Sequence, residues 1–213
     1  MRAFCVTDKA AELLVTFMVS FLIQYLCITA CKKRNFCTDS LDSGKPQRLH
    51  GIATPRSGGL GIFIAFSSAI TAVSYEGLMV ALLAFPAFAI GFYEDLRSNV
   101  GPQTRLLLLA SSATVTVLTL HCPITDFRLF AFPPVLAVAF TVFAIVGVSN
   151  SINIVDGLNG LASGIAALAF TVFGAAAYFT NDMLVLIICL FMVASLLGFI
   201  IWNFPHGRIF LGD

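Results

Sequence analysis

Charge is scarce in this sequence. Asp, Glu, Lys and Arg make up 11% of its 213 residues, while 59% are hydrophobic. Soluble globular domains carry about a quarter charged residues, so a soluble fold is excluded. The formal net charge of +1 identifies no partner by itself, and no nucleic-acid partner is expected. The six cysteines (Cys5, Cys27, Cys31, Cys37, Cys122, Cys189) lack zinc-ligand spacing. They read as small apolar residues in or near helices, and no disulfide framework follows. A fixed-period repeat and a low-complexity segment are both missing. The first apolar run, 10–31, reads as a first span and not as a signal-peptide core: it is too long and ends in Cys31-Lys32-Lys33-Arg34 without a small-residue cleavage site.

What the chain does have is apolar runs along its whole length, with a mean hydropathy of +0.95. The class is an all-α, multi-pass transmembrane helical bundle, since in lipid the backbone must satisfy its own hydrogen bonds. With about 20 residues per span, the runs give about seven spans, near 10–31, 58–75, 77–93, 104–120, 130–149, 159–179 and 183–203. Between 58 and 93 only "YEG" (75–77) separates two short runs. The whole chain, 1–213, is read as a single integral membrane domain.

Seven spans put 32–57, 94–103, 150–158 and 204–213 on one side of the membrane. That side holds Lys32, Lys33, Arg34, Lys45, Arg48, Arg56, Arg97 and Arg208, with Arg105 at the edge of a span; the other holds Arg2, Lys9 and Arg128. The excess of bases makes the first side cytoplasmic. It also collects every polar or Gly-rich stretch of the chain: "RLHGIATPRSGG", "GFYEDLRSNVGP", "NSINIVDGLNG" and "NFPHGRIFLGD".

Each stretch carries candidates. Glu94 and Asp95 follow an apolar run directly, and carboxylates at membrane depth cost about 2.5–3.5 kcal/mol, which makes them functional candidates. Neighbouring side chains on a helix diverge by about 100°, so the pair would divide its work between a site and a nearby base. Asn150, Asn153, Asp156 and Asn159 recur every three residues, with Gly157 and Gly160 among them. The expectation is a span that ends, a turn through Asp-Gly and a new helix starting near Leu158, with its free N–H groups ready for an anion. His206, Arg208 and Asp213 supply charge after the break at Pro205 and Gly207. Arg48, His50, Thr54 and Arg56 precede a Gly pair that opens the second span and allows close backbone approach. Taken singly, each stretch also reads as an ordinary polar loop or helix end. Together they offer cations for phosphate, amides for a base or sugar, and carboxylates for a hard divalent ion. The chemistry this suggests is phosphoryl transfer at the cytoplasmic face between a soluble phosphorylated substrate and a lipid phosphate.

The four stretches, in this order, resemble the polyprenyl-phosphate N-acetylhexosamine-1-phosphate transferase family. The resemblance runs from about residue 46 to Asp213 and rests on "NSINIVDGLNGLASG" and "NFPHGRIFLGD". It implies attack of a polyprenyl (undecaprenyl) phosphate on the sugar-linked phosphorus of a UDP-amino sugar, releasing UMP, with Mg²⁺ or Mn²⁺ as cofactor. It further implies an inner-membrane enzyme of lipid-linked glycan synthesis, with a homodimer as a further expectation. By the resemblance, Asp213 is a magnesium ligand shared with Asp156, and Glu94 and Asp95 are the paired catalytic acids, one a base for the lipid phosphate. Asn153, Asp156 and Asn159 line the metal and uridine diphosphate, joined by Asn150, Thr54, Arg56, His206 and Arg208 as substrate-binding residues.

The Thr-Pro-Arg form is similar to the O-antigen branch. Two departures stand out. Glu94 replaces the commoner Asp of the pair, and the chain stops at Asp213 where family members continue through further spans and a sugar-recognising loop, so a fragment or a truncated product is expected. The rival classes are a transporter, which would place polar residues at mid-span, a non-catalytic relic, and a CDP-alcohol phosphotransferase, whose Asp residues spaced four apart this chain lacks.

Overall fold

The computed structural model describes residues 6–34, 54–97, 101–126 and 130–212. Seven helices follow in order: α1 (Val6–Arg34), α2 (Gly58–Val73), α3 (Tyr75–Arg97), α4 (Pro102–Leu120), α5 (Pro134–Val155), α6 (Leu161–Thr180) and α7 (Met183–Asn203). No strand is present among the described residues; one isolated bridge pairs Asp126 with Ala131. Six helices are long and apolar enough to cross a membrane. The exception is α2, whose 16 residues rise only about 24 Å against a hydrocarbon core of about 30 Å. The protein is a multi-pass helical membrane protein.

Local sequence sets the helix ends. Pro102 and Pro134 sit at the first positions of α4 and α5, where the missing N–H costs nothing. The Asp182 side chain caps α7 by accepting from the Val185 N–H at 3.1 Å. A single extended residue, Ser74, joins α2 to α3. Its hydroxyl accepts from the Gly77 N–H at 3.0 Å, and Gly77 packs against the Ile70 carbonyl where a side chain would collide. Tyr75 and Glu76 are therefore the first turn of α3, and the turn expected at 75–77 is a break of one residue.

The core gathers around α7, which packs on α1, α2 and α6. One cluster joins Ile28, Ile62, Leu196, Phe199 and Ile209; a second joins Phe66, Ile70, Ala81 and Phe191. Small residues bring α1 and α7 together. Gly198 abuts the Phe17 carbonyl and Phe21 amide, and the Ser20 hydroxyl donates to the Ser195 carbonyl at 2.7 Å. Close approach of small residues with hydrogen bonds across is how membrane helices associate when lipid removes the hydrophobic drive. Helix α4 packs on α3 and pairs with α5 in a hairpin, with little contact between α5 and α6.

Candidate functional site

The C-terminal ends of α1, α3, α5 and α7 and the N-terminal ends of α2, α4 and α6 lie at one end of the bundle, because contacts link each to the next. The first is a junction between the segment before α2 and the segment after α7. The Phe210 N–H donates to the Pro55 carbonyl at 2.8 Å, and the Gly58 and Gly59 N–H groups donate to the Phe210 and Leu211 carbonyls at 2.9 and 2.7 Å. The first donors of α2, which a helix leaves unsatisfied, are thus taken by the chain end. Gly58 allows this: a Cβ there would lie 2.6 Å from the Phe210 carbonyl oxygen and against the Phe199 ring. Thr54 is buried in this junction and Arg56 is half-buried.

The acidic pair meets the same junction. Helix α3 runs on to Arg97, so Glu94 and Asp95 occupy its last turns and not a loop beginning at 94. The Asp95 carboxylate lies directly against Gly212. A Cβ on that glycine would sit 2.8 Å from Asp95 Cγ and 3.0 Å from the Arg56 carbonyl oxygen. Gly212 has φ +89, a backbone conformation in which a side chain is strained. Asp213 lies outside the described residues, as do Arg48 and His50.

The amide-rich stretch joins from the other side. Helix α5 continues to Val155, so Asn150 and Asn153 are helical, and Asp156 is the C-cap residue with its N–H on the Ile152 and Asn153 carbonyls. The next helix starts at Leu161, not near Leu158, because Gly160 adopts φ +77 and forms its N-cap. The N–H of Gly160 is not free for an anion: it donates to Asn203 Oδ1 at 2.5 Å. Asn203 Nδ2 donates in turn to the Ile209 carbonyl at 2.7 Å, so one buried side chain ties the α5–α6 turn to the segment after α7. Asn159 adds a second tie, Nδ2 to the Pro205 carbonyl at 3.0 Å, and its amide fills the space a side chain on Gly207 would need. The series splits: Asn159 turns to the α7 end, whereas Asn150 accepts from Arg105 Nη2 of α4 at 3.3 Å. Asn150 lies on α5, whereas Asn159 lies in the turn beyond its end, so the two amides meet different neighbours.

His206 and Arg208 are exposed on the loop after α7. The Arg208 guanidinium lies 5.8 Å from the Trp202 ring centre, within cation–π range. Trp202 is held by its Nε1–H on the Phe21 carbonyl at 3.1 Å and by the rings of Phe21 and Tyr25. Among the described residues no three His, Cys, Asp or Glu side chains gather to hold a metal. Magnesium does not demand such a cage: one or two carboxylates with substrate phosphates and water suffice. The hard oxygen of Asp95, placed against the residue that precedes Asp213, fits that donor set.

Two contributors escaped the sequence reading. Asn203 opens the "NFPHGRIFLGD" stretch but has no role assigned there, and Gln24 is a lone amide inside the first apolar run. Both are buried, and each reaches a backbone group of another element.

Helices that cross a membrane and send their polar connections to one shared end define an integral membrane protein with a candidate site at the bilayer boundary. The chain belongs to glycosyl transferase family 4, whose model matches residues 77–213. It is 28% identical over 220 residues to the Bacillus subtilis (strain 168) protein named "Probable undecaprenyl-phosphate N-acetylglucosaminyl 1-phosphate transferase", covering 97% of this chain and 60% of that one. It is 26% identical over 223 residues to the phospho-N-acetylmuramoyl-pentapeptide-transferase of Staphylococcus saprophyticus, covering 94% and 70%. To the protein of that name from Bacillus thuringiensis it is 29% identical over 220 residues, covering 93% and 68%. The chain thus spans 60% to 70% of the length of these relatives. The family match includes Glu94, Asp95, the 150–160 stretch and the chain end; Thr54 and Arg56 precede it.

Proposed function

We propose that this protein transfers an N-acetylhexosamine-1-phosphate from a UDP-amino sugar to a polyprenyl phosphate such as undecaprenyl phosphate. The observation that carries the reading is the seat of the Asp95 carboxylate against Gly212 and the Arg56 carbonyl. Three stretches separated in the chain meet there at the ends of membrane helices, where a lipid headgroup and a soluble nucleotide can both arrive. Family membership and the names of the relatives support the same chemistry.

In the reaction an oxygen of the lipid phosphate forms a bond to the sugar-linked phosphorus. The bond from that phosphorus to the bridging oxygen breaks, and UMP leaves with the bridging oxygen. Glu94 or Asp95 holds the proton of the lipid phosphate, so that the attacking oxygen carries charge. Asp95, Asp156 and Asp213 would hold Mg²⁺, or Mn²⁺, which when bound supplies positive charge to the diphosphate oxygens. Thr54, Arg56, His206 and Arg208 bind phosphate oxygens, and Asn153 and Asn159 bind the uridine end. Asn150, engaged by Arg105, orients the end of α5 beside them. The basic loops favour the cytoplasmic face of the inner membrane. The product would start a lipid-linked glycan, an O-antigen type or a cell-wall precursor, with a homodimer as the assembly.

The route of the phosphate tests this reading. With UDP-GlcNAc labelled in the sugar-linked phosphate and undecaprenyl phosphate in the same membranes, the label is expected in the lipid extract. Label that stays wholly in water-soluble products, with several UDP-amino sugars, overturns it.

A further inference from the structure

Gln24 of α1 is fully buried, and its Nε2 donates to the Gly58 carbonyl at 2.8 Å. The N–H of that same Gly58 donates to Phe210, and the next amide, Gly59, donates to Leu211. One residue later the chain reaches Gly212, which lies on Asp95 and on the Arg56 carbonyl. Gln24 therefore grips, from inside the bundle, the short turn that holds the chain end in place. The room for its amide comes from Gly61, where a Cβ would collide with Nε2 and lie 2.8 Å from Cδ.

The other end of this amide is unrewarded. Gln24 Oε1 is buried and makes no hydrogen bond among the described residues. A buried polar atom without a partner is unfavourable, and an apolar residue of similar volume would avoid it. Packing alone therefore does not account for a glutamine at this position; its donor end does.

We propose that Gln24 is a positioning residue: its bond to Gly58 sets the 56–59 turn, and through it the placement of Gly212 against Asp95. The proposal rests on the reading of Asp95 as part of a transfer site. Gln24 touches no substrate, and it acts through backbone alone.

Two variants in the full chain test this. Gln24→Leu removes the donor and keeps the volume, while the Gly58 carbonyl retains its helical acceptor role. Gly61→Ala leaves Gln24 in the sequence but pushes its amide aside; the obstacle is the mobile end of a side chain, so the helices can stay packed. For both, hydrogen exchange of the peptide carrying the Gly58 and Gly59 amides is expected to accelerate about tenfold or more, with α7 amides unchanged. UMP release should fall about 10- to 100-fold in kcat, as small misplacements of reacting groups do, with KM for the UDP-amino sugar held. The double variant should be little worse than either single one, because both break one contact.

Wild-type exchange at 56–61 in both variants overturns the proposal. So does an equal loss of protection across α1 and α7, which would mark Gln24 as a general packing residue, and so does local loosening with unchanged kcat. A wild-type chain without transferase activity would defeat the functional reading, while the exchange data would still decide whether Gln24 holds the turn.

Discussion

The Asp95 carboxylate and the backbone of Gly212 are in direct contact, although one ends the third helix and the other nearly ends the chain. No side chain fits between them. Gly212→Ala would place a methyl group on Asp95 and the Arg56 carbonyl, and its φ of +89 adds roughly 1–2 kcal/mol of backbone strain. UMP release is expected to fall at least about tenfold while the protein remains in the membrane. Wild-type turnover in this variant would mean that the contact does not shape the site.

Asp95→Asn and Asp156→Asn preserve size and remove charge. Each should reduce Mg²⁺-dependent turnover by about 100-fold or more, the scale on which single electrostatic contributors act at a transferring phosphoryl group. Membrane levels should stay normal. Near wild-type kinetics in either variant removes that residue from the chemistry.

Asn203 is 2% exposed and serves two backbone groups, the Gly160 N–H and the Ile209 carbonyl. Asn203→Ala leaves both without their partner, at about 1–3 kcal/mol each. Thermal unfolding in detergent should shift down by several degrees, and the 156–160 turn should gain exchange before α6 does. Asn203→Asp can still accept from Gly160 but cannot donate to Ile209, so it should recover part of the loss. An unchanged melting temperature in Asn203→Ala contradicts the clamp.

A reporter fused after Asp213 should report a cytoplasmic location, with one inserted at the α6–α7 connection near Asn181 on the opposite side. The contacts that gather the C-terminal ends of the odd helices and the N-terminal ends of the even helices at one face require these two positions to differ. Identical labelling at the two sites would break the span assignment.

The helices were legible because apolar runs and their breaks are a local signal. The 77–93 and 159–179 runs, for example, became Tyr75–Arg97 and Leu161–Thr180. Their ends were less so. Glu94 to Arg97 remain in α3 because nothing at those positions breaks a helix, and polarity alone was read as a loop. The start of α6 was placed three residues early because the left-handed Gly160 is stabilised by Asn203, a residue of another helix. Of the candidate site, the residue types could be read from the four polar stretches, but their pairing could not. That Asn150 answers to Arg105 while Asn159 answers to Pro205 depends on which helix stands beside each amide. Gln24 belongs to no motif, and Asn203, though it opens "NFPHGRIFLGD", gives no sign there of its partners; only the fold shows what they hold.

The most direct measurement is UMP release from UDP-GlcNAc by membranes containing this chain, with and without undecaprenyl phosphate and with and without Mg²⁺. Release that requires both the lipid phosphate and the metal is the predicted result. Absence of release with this and other UDP-amino sugars, with the chain confirmed in the membrane, would contradict the account.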